Sequence, residues 1–141
     1  MSAARSFPVV SWKWMMAAWV LLALFLGDER AQALEAGDYE YELLNDDEVV
    51  ITKYNGSEST VVIPSTINDL TVTKIGEWAF SGKYSIEHVD IPDTVTEIGS
   101  YAFYGSWISS VTIPDSVTKI GEGAFRDNWL ENLTIPESVT E

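Results

Sequence analysis

The chain reads as a β-rich solenoid with coils of about 22–23 residues, because three landmarks recur along it in one register. Ile-Pro stands at Ile63-Pro64, Ile91-Pro92, Ile113-Pro114 and Ile135-Pro136, at offsets of 28, 22 and 22. Ala-Phe stands at Ala79-Phe80, Ala102-Phe103 and Ala124-Phe125, and Ile-Gly at Ile75-Gly76, Ile98-Gly99 and Ile120-Gly121. The longer first offset is assigned to five residues inserted around Asn68 to Thr73 and one near Tyr84-Ser85, both expected to be loops.

Each unit can be justified position by position. In the sets Ile86, Val89, Ile91 and Ile108, Val111, Ile113 and Leu130, Leu133, Ile135, the last two apolar residues alternate with polar ones. That is a short strand with one buried face. The proline after each Ile removes an amide donor and ends the strand. Val95 with Ile98 and Val117 with Ile120 then start the returning side, expected to run through turns or single helical turns, with Gly99 and Gly121 permitting a turn. The Phe of each pair fills the coil centre, and the small Ala lets the next coil approach. One coil cannot bury these residues on both sides, whereas stacked coils turn them into continuous spines.

Before the repeats, residues 34–58 predict a capping β-hairpin. Tyr39, Tyr41 and Leu43 alternate with acids, Asn45-Asp46-Asp47 supplies a turn, and Val49 to Tyr54 returns. The repeats occupy residues 59–141, about three and a half coils. The last stops at Ile135 to Glu141 without an Ile-Gly or Ala-Phe. Two readings of that end stay open: a fragment of a longer array, or an uncapped coil prone to self-association.

Residues 1–33 predict a secretory signal peptide. Arg5 and Lys13 precede the apolar run Trp14 to Gly27, and Ala31-Gln32-Ala33 has the small-x-small shape of a cleavage site. The run of 14 residues falls short of the ~20 that span a bilayer, so an uncleaved anchor is the alternative. Cleavage would leave five basic and twenty acidic side chains, a net charge of −15, and no membrane insertion. Such a surface repels nucleic acid and anionic lipid; it either keeps an extracellular protein soluble or attracts basic partners.

Stability must come from packing, since the chain has no cysteine for a disulfide or a thiolate metal site. Two sequons, Asn55-Gly56-Ser57 and Asn132-Leu133-Thr134, would carry glycans only after eukaryotic secretion.

Chemistry for catalysis is sparse. His88 is the single histidine, no Gly-x-Ser-x-Gly elbow or phosphate-binding glycine loop occurs, and no calcium loop matches around Asp38, Asp46, Asp47 or Asp93. His88 and Asp90 on one strand face make at most a weak acid–base pair. The expectation is therefore no enzymatic activity and no cofactor.

Binding is the alternative, on side chains that point out of the strands. Thr60, His88, Ser110 and Asn132 form one ladder, and Val62, Asp90, Thr112 and Thr134 a second. Tyr84, Trp107 and Trp129 recur just before successive strands, with Tyr104 expected beside them, and are read either as binding anchors or as packing across the coil corner.

The segments IPDTVTEIGSYAF (Ile91 to Phe103) and IPDSVTKIGEGAF (Ile113 to Phe125) resemble the BspA-like leucine-rich repeats, whose units read I-P-x-x-V-T-x-I-G-x-x-A-F followed by a Leu-x-x-Val-x-Ile strand. The resemblance covers residues 39–141. It implies leucine-rich-repeat coils in a secreted or cell-surface protein, of the kind linked to adhesion to host or extracellular-matrix proteins. An extracellular or host-surface protein is then the expected partner. A structural spacer or self-assembly module of a longer surface protein is the alternative, as is a catalytic domain beyond residue 141.

Overall fold

The computed structural model describes residues 33–141, so the signal-peptide reading lies outside the described residues apart from its final Ala33. The strands are β1 (Leu34–Ala36), β2 (Tyr39–Leu43), β3 (Glu48–Tyr54), β4 (Thr60–Val62), β5 (Thr66–Ile67), β6 (Leu70–Ile75), β7 (His88–Asp90), β8 (Glu97–Ile98), β9 (Ser110–Thr112) and β10 (Lys119–Ile120). They form a seven-stranded sheet in the order β1-β2-β3-β6-β8-β10, with β5 paired to β6, and a three-stranded sheet β4-β7-β9.

The register of the smaller sheet follows the Ile-Pro landmark. Val61 pairs with Val89 and Val89 with Val111, in parallel, with Thr60, His88 and Ser110 on one flank and Val62, Asp90 and Thr112 on the other. The returning side is also a parallel sheet rather than helical turns: Ile75 pairs with Ile98 and Ile98 with Ile120. No helix is present among the described residues. β8 and β10 have only two residues each, too few to carry an alternation that sequence could reveal.

A third side joins the two sheets through the Ala-Phe turns. Phe80 N donates to Ala102 O at 2.7 Å and Phe103 N to Ala124 O at 2.8 Å, flanked by Trp78 N to Ser100 O and Gly82 N to Tyr104 O. Every side of the coil is thus hydrogen-bonded to its neighbour. Inside runs an aromatic column, Tyr54 to Phe80 at 5.1 Å, Phe80 to Phe103 at 4.9 Å and Phe103 to Phe125 at 5.3 Å, all stacked. That spacing is close to the strand spacing of a sheet, so one ring fits one coil.

The glycines of Ile-Gly serve a different purpose from the turn expected of them. Neither Gly99 nor Gly121 has positive φ; instead a Cβ on Gly99 would lie 2.7 Å from Glu77 N and Gly76 C of the coil before. They let backbone approach backbone. The left-handed positions fall elsewhere, at Trp78, Tyr101 and Gly123, and again at Gly82, Gly105 and Asp127.

The five-residue insertion is a hairpin, not a loop. β5 and β6 pair antiparallel around Asn68-Asp69, both at positive φ (50° and 66°), the pattern of a two-residue type I′ turn. The extra residues lengthen β6 to Leu70–Ile75 and leave the register intact.

At the start, β2 and β3 form the expected hairpin, with Asp47 N held by Asn45 Oδ1 at 2.9 Å in the turn. β1, unforeseen, pairs with β2 through the Gly37-Asp38 turn. β3 also runs parallel to β6, and Tyr54 begins the aromatic column, so this strand belongs both to the hairpin and to the first rung of the large sheet. At the other end, Ile91 and Ile113 are buried at 6% and 8% exposure, but Ile135 is 47% exposed. Residues 131–136 form no strand.

Burial at the hairpin fixes a pH response. Desolvation, with Tyr54 and Asp38 nearby, pushes the Tyr39 phenol up to about 12 from 10.0. Below pH 10 both folded and unfolded chains keep that proton. Between pH 10 and 12 only the unfolded chain loses it, so stability is full below pH 10 and falls as pH climbs through 12. Thermal melting from pH 9 to 12 should show a shallower loss in Tyr39→Phe than in the parent; parallel curves would contradict the assignment.

Candidate functional site

Two groups of exposed aromatic residues mark the surface, and each is set up by coil stacking. The first is the ladder foreseen at the corner that enters the smaller sheet. Tyr84 lies 5.3 Å from Trp107, tilted by 50°, and Trp107 stacks on Trp129 at 5.7 Å. Their exposures of 64%, 50% and 68% show that they do not fill the corner. Of the two sequence readings, corner packing is the one the burial disfavours.

A polar clamp that the sequence reading missed holds this corner. Asn128 Oδ1 accepts from Ser106 N at 3.1 Å and Ile108 N at 3.0 Å, while its Nδ2 donates to Phe103 O at 2.6 Å and Phe125 O at 3.0 Å. Ser106, fully buried, donates its hydroxyl to Phe80 O at 2.5 Å, and its Oγ accepts from Lys83 N at 3.3 Å. Trp107 sits between the two amides that Asn128 holds, and it takes φ 58°, a conformation costly for a bulky residue. Such strain persists only where its surroundings over-determine it. The available signal was Ser106 and Asn128 at one repeat position, each directly before a tryptophan.

Outward from the strands, Thr60, His88, Asp90, Ser110 and Thr112 are all exposed, and the pairing sets Thr60, His88 and Ser110 in one row and Asp90 beside Thr112 in the next. Asn132 and Thr134 are exposed but lie in irregular chain after the last rung, so the ladders have three paired rungs rather than four. Among the described residues no hydrogen bond or ion pair joins His88 to Asp90.

The second aromatic group lies on the third side. Trp78 stacks on Tyr101 at 4.6 Å, and Tyr104 meets both edge-on, so Tyr104 belongs here and not with the ladder. Tyr101 donates to Glu122 at 2.9 Å, and that hydrogen bond raises its pKa; Asp127 raises that of Tyr104 in the same way. The column ends at Gly123, where a Cβ would stand 2.6 Å from the Tyr101 ring.

Among the described residues, no group of three or more His, Asp or Glu gathers as a metal site. Likewise, among the described residues no helix is long and apolar enough to cross a membrane.

Stacked coils with a parallel strand on the Ile-Pro side and an aromatic column inside define a leucine-rich-repeat solenoid. A family model described as BspA type leucine-rich repeat region matches residues 54–141 with 6 copies, and the chain belongs to that family. Among solved structures it is similar to a T. pallidum leucine-rich repeat protein, 32% identical with TM-score 0.70 over 77% of this chain and 52% of that one. A leucine-rich cell surface protein of Faecalibacterium prausnitzii is 34% identical, TM-score 0.66, over 81% of this chain and 39% of that one. A leucine-rich repeat protein of Bacteroides capillosus is 31% identical, TM-score 0.69, over 77% and 86%. The chain thus spans about half the length of the T. pallidum protein and less of the Faecalibacterium one. The comparison with curated proteins finds no match.

Replacing Asn128 should loosen the corner. Asn128→Ala leaves the Ser106 and Ile108 amides and the Phe103 carbonyl without their partner, and an unsatisfied buried group costs about 1–3 kcal/mol. Urea unfolding should show a loss of about 3 kcal/mol, and Asn128→Asp, which keeps the acceptor, a smaller one. A loss below about 0.5 kcal/mol, the range of ordinary surface changes, would mean the clamp is incidental.

Proposed function

We propose that this chain is a protein-binding module of the cell exterior, without catalytic activity, whose contact surface is the smaller sheet and the aromatic ladder along its rim. The observation that carries the reading is the half-to-two-thirds exposure of Tyr84, Trp107 and Trp129. Tryptophan and tyrosine are the side chains that most often anchor protein interfaces, and here three stand in line beside a regular polar face. Family membership and the likeness to a cell surface protein support the extracellular setting and an adhesion-type role. Contacts would come from Thr60, His88, Asp90, Ser110 and Thr112, from Asn132 and Thr134 in the irregular last coil, and from Trp107 and Trp129. A host-surface or extracellular-matrix protein would be the partner.

A spacer or self-assembly role is the second reading, favoured by the exposed Leu133 and Ile135 of the last coil. The test is binding of the purified chain to a panel of extracellular-matrix and host-surface proteins, beside the Trp107→Ala and Trp129→Ala variants. Saturable binding that weakens about tenfold or more in a variant of unchanged melting temperature is the expected result. Binding indifferent to both variants would remove the ladder from the site. Absence of binding, with concentration-dependent oligomers in size-exclusion chromatography, would transfer the role to self-assembly.

A further inference from the structure

The distribution of charge over the coil is lopsided in a way that net charge alone conceals. No lysine or arginine among the described residues lies on a strand of the smaller sheet. Lys53, Lys74 and Lys119 lie on strands of the large sheet, paired with Glu40 at 3.2 Å, Glu97 at 2.9 Å and Glu141 at 3.3 Å. Lys83, directly before Tyr84 at the ladder corner, turns its ammonium over the Tyr54 ring at 5.9 Å, and Arg126 approaches Asp127 at 3.9 Å on the third side.

The segments that build the smaller sheet, residues 58–65, 87–93, 109–115 and 131–137, contain no lysine or arginine at all. Their acids, among them Glu87, Asp90, Asp93, Asp115 and Glu131, are exposed, and none forms an ion pair. These segments therefore carry seven acids and no lysine or arginine, whereas the other described residues carry thirteen acids against five basic side chains, four of which are ion-paired. Unpaired charges of one sign on a surface steer and hold the opposite sign.

Beside these acids stands the aromatic ladder, with open ring surface at both its ends, Tyr84 and Trp129. The two features select the same ligand group. A cation over the face of an indole or phenol is attracted by the ring quadrupole, and guanidinium, planar and weakly hydrated, stacks there and pairs with carboxylates better than ammonium does.

We propose that the partner engages this surface through an arginine-bearing segment, with guanidinium groups against Tyr84, Trp107 and Trp129 and onto the carboxylates of the smaller sheet. The proposal rests on the protein-binding reading and specifies the chemistry of the bound segment.

The test titrates the full chain with three short unstructured peptides, Arg-Gly-Ser, Lys-Gly-Ser and Glu-Gly-Ser repeats of equal length, at low and physiological salt, following tryptophan fluorescence and calorimetry. The arginine peptide should bind roughly threefold or more tighter than the lysine peptide, the worth of an exposed cation–π contact. The glutamate peptide should not bind. Trp129→Ala and Trp107→Ala, each checked for an unchanged melting temperature, should each reduce the arginine preference. Asp90→Asn with Asp115→Asn should weaken both basic peptides and flatten the salt dependence, whereas Glu77→Gln with Glu122→Gln on the third side should not.

Equal affinity for arginine and lysine, indifference to both tryptophans, or equal sensitivity to the two acidic pairs would overturn the proposal. If a protein of the extracellular panel binds through the tryptophans while the arginine peptide does not, the protein-binding reading stands and this one fails. If neither binds, both fall.

Discussion

The structure depends on how closely one coil can lie on the next. Rings in the central column stand 4.9 to 5.3 Å apart, a separation that hydrogen-bonded strands also require, and the backbones must close to that distance on every side of the coil. The tightest place is the Ile-Gly corner, where Gly76, Gly99 and Gly121 follow one another with no room for a Cβ. Given that contact, the alternating Val and Ile of the short strands bury against each other, and the Phe column excludes water from the centre. A repeat of this kind has no core of its own; its stability is that of the interfaces it makes with its neighbours.

The same spacing explains the surface. Coils stacked at about 5 Å turn any repeated side chain into a row, and the row at the corner of the smaller sheet consists of Tyr84, Trp107 and Trp129. Trp107 is held in a left-handed conformation by a clamp from the following coil, and its ring is left half exposed. The chain places its ion pairs on the large sheet and leaves the smaller sheet without a cation. The two sheets thus differ: the larger carries lysine–glutamate pairs, and the smaller carries acids without lysine or arginine beside an aromatic rim.

Much of this was legible in the sequence, since a stacked repeat writes its register directly into landmark spacing. Ile-Pro, Ile-Gly and Ala-Phe located the strand pairings Val61–Val89–Val111 and the Phe spine to the residue. What escaped are features settled between coils. The glycines resemble turn residues until a neighbouring backbone is placed beside them. Asn128 looks like a loop residue, because its partners Phe103, Ser106 and Ile108 lie 20 to 25 residues away. The insertion at Asn68-Asp69 lacks the glycine that usually marks a hairpin turn, and β8 and β10 are too short for any periodicity. The fourth rung expected at Asn132 and Thr134 is not formed, since residues 131–136 take irregular backbone.

The most direct test of the central claim compares two glycines of the same coil array by equilibrium denaturation. A Cβ at Gly99 meets backbone of the preceding coil at 2.7 Å, whereas at Gly82, at φ 67°, it meets nothing within 4 Å. If backbone approach between coils governs the fold, Gly99→Ala should cost about 3 kcal/mol through overpacking, and Gly82→Ala about 1 kcal/mol for its left-handed backbone. The reverse order, or a tolerated Gly99→Ala, would contradict the account.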